Sequence, residues 1–251
     1  MNKHPEYFQF KQFKVYHDQC ALKVGTDGVL LGAWSHVSTN LKDQNTPHSI
    51  LDIGCGTGLI SLMLAQRHPN AHITGIDIDP RAVIQAKTNA ALSPWNDQML
   101  FITEDAVSFA AQYSTRERFD TIVSNPPFYE ENLMPKTSYK TWAKHTVSLP
   151  LIDLINTVTN LLKPKTGLFN VILPTSTAYK FITEAESHNL HLIHLTRVCT
   201  VAQRPPKRLL LCFKYDIASP LSTSIDTLPL SGNKSHGRSE EYELLTQDFY
   251  L

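Results

Sequence analysis

A chain of 251 residues with 42% hydrophobic content is long enough to bury a full α/β core. Its formal net charge of zero argues against a strongly basic nucleic-acid-binding protein. The sequence shows no cationic leader and no apolar run of membrane-spanning length, so we expect a cytoplasmic protein with no membrane partner.

The zero net charge hides an uneven distribution along the chain. Residues 216–251 hold six acidic and two basic side chains, which leaves a formal charge of +4 on residues 1–215. A mildly basic body permits RNA binding without requiring it. The eleven histidines are scattered and the four cysteines form no C-x-x-C pair, so no metal site is expected and the thiols fit a reducing compartment.

Apolar periodicity and turn residues predict strands and helices that alternate along most of the chain. Helices are predicted over 29–37, capped by Thr26 or Asp27, and over 59–67, 80–92, 106–112, 149–162 and 175–187. Strands are predicted over 49–53, 71–76, 100–103, 119–124 and 167–173, followed by an antiparallel hairpin of 191–201 and 207–215. The Ser/Thr-rich segment 217–237 is expected to be mobile. This alternation indicates the α/β class with a doubly wound sheet.

A glycine-rich loop joins the predicted strand 49–53 to the predicted helix 59–67. Gly54, Gly56 and Gly58 follow one another with one-residue gaps. Glycine at these positions allows positive φ and lets a ligand approach the backbone closely. A strand, a glycine turn and a helix form the geometry of a nucleotide site at a helix N-terminus, although the spacing differs from the G-x-G-x-x-G of dinucleotide sites.

Acidic residues follow the next two predicted strands. Asp77 comes directly after 71–76 and can accept hydrogen bonds from both hydroxyls of a ribose. Asp105 follows 100–103 and can accept from an adenine amino group, cap the next helix, or do both. A plain helix cap is the alternative interpretation of Asp77 as well.

The predicted strand that ends at Ser124 runs into the segment Asn125-Pro126-Pro127-Phe128. The Asn125 side-chain carbonyl and the Pro126 backbone carbonyl can accept the two hydrogens of a planar NH2 group, which favours a pyramidal nitrogen with an available lone pair. Proline stiffens the loop, and Phe128 offers a ring on which a base can stack. An ordinary turn is the alternative. Together with the glycine loop, however, this segment indicates methyl transfer to nitrogen.

The run 52–58, with Asp77 and Asp105, resembles the cofactor site of class I S-adenosylmethionine-dependent methyltransferases, and 124–128 resembles the catalytic loop of their amino-methylating members. The resemblance covers residues 7–215. It implies a Rossmann-like seven-stranded methyltransferase sheet with helices on both faces and a C-terminal antiparallel hairpin, and it implies S-adenosylmethionine as the cofactor, with no metal. The implied catalytic residues are Asn125, Pro126 and Phe128. The implied cofactor-binding residues are Thr26, Asp52, Gly54, Gly56, Gly58, Asp77, Ile78, Asp105 and Asn125.

Shorter segments resemble a narrower group, the bacterial tRNA1(Val) (adenine-37-N6)-methyltransferase family. These segments are 8–13, 22–34, 144–145, 203–208 and 248–251. The likeness implies methylation of an adenine N6 in tRNA, with a valine isoacceptor as the partner. The cations expected to contact RNA are Lys136, Lys140 and Lys144 in the long connection 125–146, and Arg204, Lys207 and Arg208 at the hairpin tip. The oligomeric state stays open, with a monomer favoured.

We expect three parts: an N-terminal segment 1–48 that covers the cofactor site, a methyltransferase core 49–215, and an acidic, partly flexible tail 216–251 with a docking end. Other functions remain open at this point. The Asn-Pro-Pro-aromatic segment suits the side-chain amide of a protein glutamine equally well. Guanine-N2 in ribosomal RNA is a further target, and a non-catalytic scaffold that kept the fold is an alternative of another class. The acidic tail favours a protein partner, whereas cations interleaved with aromatics in 125–146 favour RNA.

Overall fold

Eight strands form one sheet within the residues that the structure, a computed structural model, describes. These residues are 6–18, 20, 23–38, 47–113, 118–127, 149–216, 222–232 and 237–251. Helices cover both faces of the sheet, and a separate two-stranded ribbon lies at the N-terminal end of the chain. The structure therefore confirms the α/β class.

The strands are β1 (Tyr7–Gln9), β2 (Lys14–Tyr16), β3 (Ser49–Ile53), β4 (His72–Asp77), β5 (Met99–Thr103), β6 (Thr121–Ser124), β7 (Leu168–Pro174), β8 (Leu190–Cys199), β9 (Arg208–Tyr215) and β10 (Ser224–Pro229). The helices are α1 (Thr26–Trp34), α2 (Leu59–Arg67), α3 (Pro80–Ala91), α4 (Ala106–Tyr113), α5 (Leu151–Leu161), α6 (Thr175–Ser187) and α7 (Glu240–Thr246), with a 3-10 turn at Asn96–Gln98. In the described part of the chain, each helix is too short or too polar to cross a bilayer.

The order of strands across the main sheet is β10-β8-β9-β7-β6-β3-β4-β5. All neighbours are parallel except those of β9, which is antiparallel to both β7 and β8. The chain leaves β3 toward β4 and β5 on one side and returns to place β6 and β7 on the other. Ligands of open α/β sheets bind at such a reversal, outside the carboxyl ends of the strands.

The sheet differs from the predicted seven strands because β10 adds an eighth. This strand lies inside the segment 217–237 that was expected to be mobile, and that expectation was wrong for Ser224–Pro229, which pairs in parallel with His194–Cys199 of β8. Four of its six side chains are exposed, and only Leu228 and Pro229 are buried. Backbone pairing therefore defines this strand more than apolar burial does, and a sequence pattern carries little trace of it.

The first helix also differs from the prediction. It begins at Thr26, three residues before the predicted start, and ends at Trp34 rather than at residue 37. Its N-cap is Gly25, with no capping side chain, so neither Thr26 nor Asp27 has the predicted capping role. The Asp27 carboxylate instead forms an ion pair with a distant arginine, described below.

Two apolar layers enclose the sheet. Leu51 faces the larger cluster, to which α4, α5 and α6 contribute, whereas its neighbour Ile50 faces the cluster of α1, α2 and α7. Successive side chains of a strand point to opposite faces, so a strand buried on both faces is mostly apolar. This burial explains the apolar residues Ile50, Leu51 and Ile53, and the charged residue between them, Asp52, is buried as well.

Aromatic residues from the two ends of the chain pack together beside α1 and α2. The rings of Phe10 and Phe13 are stacked with centroids 4.7 Å apart, and Phe249 belongs to the same buried cluster. The Lys11 N–H donates to the Phe249 carbonyl at 2.8 Å. The segments 8–13 and 248–251, two of those that carry the narrower resemblance, thus pack together as one structural unit.

Gly75 of β4 offers a test of how tightly the sheet is packed near its carboxyl edge. A Cβ atom at Gly75 would lie 2.5 Å from Phe101 Cδ1 and 3.0 Å from Cys55 Cβ, and both neighbours are buried. Because neither neighbour has room to move, we expect Gly75→Ala to lower the free energy of unfolding by about 1–3 kcal/mol. Urea denaturation measures this change. Gly237→Ala is the matched control, since a Cβ there meets no atom within 4 Å, and equal stabilities of the two variants would contradict the prediction.

Candidate active site

The glycine loop and the Asn-Pro-Pro segment lie side by side at the carboxyl edge of the sheet. In the parallel pairing of β3 with β6, Ile53 is opposite Ser124, so Gly54 and Asn125 are the next residues along the two strands. The Ser124 hydroxyl donates to the Ile53 carbonyl at 2.9 Å and joins the two strand ends. Motifs about 70 residues apart in sequence therefore meet at the point where the strand order reverses, as the ligand rule for such sheets requires.

The backbone of the glycine loop is shaped by positive φ angles. Gly54, Gly56 and Gly58 have φ angles of 72°, 54° and 77°, values that residues with a Cβ adopt only under strain. A Cβ at Gly54 or Gly56 would meet no protein atom within 4 Å, whereas a Cβ at Gly58 would lie 3.2 Å from Ala86 Cβ. The first two glycines therefore leave open space against the backbone, and the third lets the loop pack on α3.

Asp77, at the end of β4, accepts hydrogen bonds from the loop that it faces. One carboxylate oxygen accepts the Gly56 N–H and the other accepts the Asp79 N–H, each at 2.9 Å. Burial raises the pKa of Asp77, and the two N–H groups oppose that rise by stabilising the charged form. Each carboxylate oxygen can accept a second bond, so the group can still bind ribose hydroxyls while it holds the loop.

Asp52 lies beneath the loop and is fully buried. Its Oδ2 accepts the Ser61 hydroxyl at 2.7 Å, and its Oδ1 has no hydrogen-bond partner among the described residues. Burial raises the pKa of this carboxyl to about 7. An unpartnered buried oxygen is the kind of group that a ligand or an ordered water satisfies, and direct contact between Asp52 and the cofactor stays a prediction.

Asp105 and Ile78 lie toward the β5 side of the same edge. Asp105 Oδ1 accepts the N–H groups of Val107 and Ser108, both at 3.0 Å, so this residue is the predicted helix cap. Its contact with an adenine amino group stays a prediction. The side chain of Ile78 is 45% exposed directly after Asp77, where an apolar side chain can cover one face of a base.

The first turn of α1 lies beside the predicted catalytic asparagine. A Cβ at Gly28 would lie 3.0 Å from Leu59 Cδ2 and 4.0 Å from Asn125 Nδ2, so the missing side chain lets α1 approach both. Thr26 is exposed in the same turn, and Asn125 is half-buried. Gly28 is not among the site residues predicted from the sequence. Its signal was the spacing of Gly28 and Gly32, which places two glycines on one face of α1.

The structure describes some of the remaining predicted catalytic positions and not others. Pro126 is buried directly after Asn125, which agrees with a stiff loop. Phe128 and the three lysines of the connection 125–146 (Lys136, Lys140 and Lys144) lie outside the described residues. Their roles stay predictions.

The tip of the β8–β9 hairpin lies at the same carboxyl edge, because Pro174 at the end of β7 pairs with Arg208 at the start of β9. The tip residues Arg204 and Lys207 are exposed. Arg208 differs from them, since its Nε lies 2.9 Å from Asp27 Oδ2. All three cations are predicted from the sequence to contact RNA. In the structure Arg208 already has an acidic partner within the chain.

All four cysteines are free thiols, and three of them are buried. Within the ranges that the structure describes, no group of three or more His, Cys, Asp or Glu side chains is arranged to hold a metal ion.

Comparison with known proteins gives full-length matches. A model described as methyltransferase small domain matches residues 35–149. A tRNA1(Val) (adenine(37)-N6)-methyltransferase of Phocaeicola vulgatus is 44% identical over 245 residues, which span 98% of this chain and 97% of that protein. The protein of the same name from Bacteroides thetaiotaomicron is 41% identical over 246 residues, with coverage of 98% and 97%.

Solved structures share the fold at lower identity. The crystal structure of a predicted O-methyltransferase from Agrobacterium tumefaciens superposes with a TM-score of 0.66 at 16% identity, covering 89% of this chain and 96% of that chain. A SAM-dependent methyltransferase from the same organism superposes with a TM-score of 0.57 at 16% identity, covering 85% of this chain and 71% of that chain. Likeness at this identity shows the methyltransferase fold alone.

The position of Asp77 leads to a prediction about cofactor affinity. Asp77→Ala removes the predicted acceptors of both ribose hydroxyls and the acceptor of the Gly56 N–H, so S-adenosylmethionine should bind about 30-fold more weakly, or about 2 kcal/mol. Isothermal titration calorimetry of the protein with S-adenosylmethionine measures this change. Asp79→Ala is the control, because the Asp79 side chain caps α3 through the Arg81 N–H and faces an exposed arginine. If Asp77→Ala binds as tightly as the native protein, the ribose is held elsewhere.

Proposed function

Because the chain belongs to the tRNA1(Val) (adenine(37)-N6)-methyltransferase family, we propose that it methylates the exocyclic N6 of adenine 37 in tRNA1(Val) with S-adenosylmethionine as the methyl donor. The observation that carries this proposal is the contact of two loops at one edge: Gly54 and Asn125 are adjacent where β3 and β6 end. The first loop suits a nucleoside cofactor and the second suits an NH2 group. Their adjacency allows methyl transfer between the two ligands.

The residues of the glycine loop fit the proposed donor. Backbone at Gly54 and Gly56 is open to a ligand, and Asp77 retains acceptor capacity for a ribose. When bound, S-adenosylmethionine supplies an electrophilic methyl group on a sulfonium. The protein therefore has to orient the donor and exclude water, which rigid loops on strand ends do well.

The Asn125 loop acts on the acceptor nitrogen. The lone pair of an adenine amino group is delocalised into the ring, so the nitrogen attacks poorly. The Asn125 side-chain carbonyl and the Pro126 backbone carbonyl accept its two hydrogens and favour the pyramidal geometry of the transition state. The Ser124 hydroxyl bond to Ile53 and the buried Pro126 hold these acceptors in place, so little reorganisation accompanies the reaction.

The N-terminal segment supports the proposed division of the chain into a covering segment 1–48, a core 49–215 and a tail 216–251. Asn89 on α3 donates from Nδ2 to the carbonyls of Tyr16 and Thr57, both at 2.9 Å, and accepts the Tyr16 N–H at 2.9 Å. One side chain thus connects β2 to the glycine loop. This contact agrees with an N-terminal segment that covers the cofactor site, and the tRNA substrate agrees with a cytoplasmic location.

The proposed reaction predicts the product and the effect of one substitution. The native protein should convert adenine 37 of tRNA1(Val) to N6-methyladenine, detected by mass spectrometry of nuclease digests after incubation with S-adenosylmethionine. Asn125→Ala should lower turnover by about 100-fold, as the loss of one preorganised polar group does in other active sites. Its affinity for S-adenosylmethionine should stay within a few-fold, because the ribose acceptors are elsewhere.

Other outcomes of these measurements would contradict the role of Asn125 or indicate a different methyl acceptor. Full turnover by Asn125→Ala would show that Asn125 has no catalytic role. Total RNA and total protein serve as competing substrates with labelled donor. Label on a protein glutamine would favour amide methylation, and label on guanine in ribosomal RNA would favour the guanine-N2 reaction.

The hairpin tip predicts a salt dependence of RNA binding. Arg204 and Lys207 are exposed at the carboxyl edge, and each phosphate contact on single-stranded RNA contributes about 0.7 to the slope of log affinity against log salt. Arg204→Ala with Lys207→Ala should therefore weaken RNA binding and flatten this slope by up to about 1.4. Binding of tRNA1(Val) is titrated with salt for each protein.

The matched control is Lys87→Ala with Lys165→Ala, which removes two exposed lysines away from the carboxyl edge. Lys87 lies in the second half of α3, and Lys165 precedes the amino end of β7. Equal salt slopes for the two double variants would show that the hairpin tip does not contact RNA.

A further inference from the structure

The ion pair between Asp27 and Arg208 joins two parts of the chain that both border the active site. The Arg208 Nε lies 2.9 Å from Asp27 Oδ2, and Arg208 Nη1 donates to the Lys207 carbonyl at 3.1 Å. The side chains are 31% and 36% exposed. A partly exposed pair of this kind contributes little to global stability, so a role for it is sought in the groups that it positions.

Arg208 is the fixed partner of the pair. It is the first residue of β9 and pairs with Pro174 of β7 and with Val198 of β8, so strands flank its backbone on both sides. The turn before it is tied to the start of α6, since Thr175 Oγ1 donates to the Pro206 carbonyl at 2.8 Å and the Thr175 N–H donates to the Lys207 carbonyl at 3.2 Å. The sheet therefore fixes the backbone position from which the Arg208 guanidinium extends.

The first turn of α1 has no capping side chain, so the ion pair can stabilise its position. Its N-cap, Gly25, has no side chain to accept the free N–H groups of the turn. Asp27 lies in that turn and bonds Arg208, and a Cβ on the next residue, Gly28, would lie 4.0 Å from Asn125 Nδ2. Because Gly28 has no side chain, the α1 backbone itself borders the catalytic asparagine, and a shift of this turn changes the surroundings of Asn125.

We propose that Asp27 and Arg208 are positioning residues, whose ion pair holds the first turn of α1 against Asn125 and links the hairpin tip to the catalytic loop. This inference rests on the proposed role of Asn125 in methyl transfer. A displacement of a reacting group by about 1 Å can cost about 100-fold in rate, so a loose first turn should lower kcat. The affinity for S-adenosylmethionine should change much less, because Thr26 is the one predicted cofactor-binding residue in this turn and Asp77 and the glycine loop are not part of the contact. The KM for tRNA should also change less than kcat, because the exposed cations Arg204 and Lys207 are not part of the ion pair.

The test uses single and paired charge changes in the full chain. Asp27→Asn and Arg208→Gln should each lower kcat for tRNA methylation by about 10-fold or more, with the dissociation constant of S-adenosylmethionine within about twofold. The double variant Asp27→Arg with Arg208→Asp restores an ion pair of reversed polarity and should recover much of the loss. Arg208→Lys should retain more activity than Arg208→Gln, because it keeps the charge.

Arg81→Gln is the matched control, since Arg81 forms an exposed ion pair with Asp79 at 3.1 Å outside the catalytic loop, and its kcat should stay within about twofold. The thermal unfolding temperature of every variant shows whether a loss of kcat comes from a destabilised fold or from a displaced first turn of α1. An unchanged kcat in both single variants would overturn the inference, and so would a swapped pair no more active than the singles at equal thermal stability. The proposed function is judged separately, by whether the native protein labels tRNA at all.

Discussion

The parallel pairing of β3 with β6 is the constraint on which the active site depends. It places Ile53 opposite Ser124, and the loops that follow carry Gly54 and Asn125. A slip of one residue would move the two loops about 3.3 Å relative to each other. Both faces of these strands are buried in apolar layers, and a one-residue slip would exchange the faces of Ile50 and Leu51. The packing of the sheet therefore fixes the strand register, and the register fixes the relative position of the two loops.

The helix beside Asn125 is held by two sets of contacts. Gly28 and Gly32 let α1 lie close to α2, where a Cβ at Gly32 would be only 2.7 Å from Met63 Sδ. On its outer side α1 contributes Val29 and Ala33 to the aromatic cluster that joins the two ends of the chain. Segments far from Asn125 in sequence therefore restrain the helix that lies beside it.

The parts of the fold that local patterns specify could be predicted from the sequence. Buried parallel strands are rich in apolar residues, and glycine adopts positive φ angles without strain, so β3 and the glycine loop were recognisable. Asp77 was recognisable from its place at the end of the next predicted strand. β10 was not, because most of its side chains are exposed and its pairing with β8 is a backbone property. The bond between Asp27 and Arg208 joins residues 181 positions apart, and no local pattern distinguishes a helix-capping aspartate from one that reaches across the sheet.

Asp77 is proposed to serve both the structure of the loop and the ligand. Its carboxylate accepts N–H groups from Gly56 and Asp79, so the loop takes its shape around the same group that is proposed to bind the ribose. Burial alone would favour the neutral acid, and the N–H groups oppose this by stabilising the anion. A carboxylate held in this way loses little freedom when a ribose binds, because its orientation is already set by the backbone. The glycines and the acid therefore act as one preorganised unit, and the strand register places that unit beside Asn125.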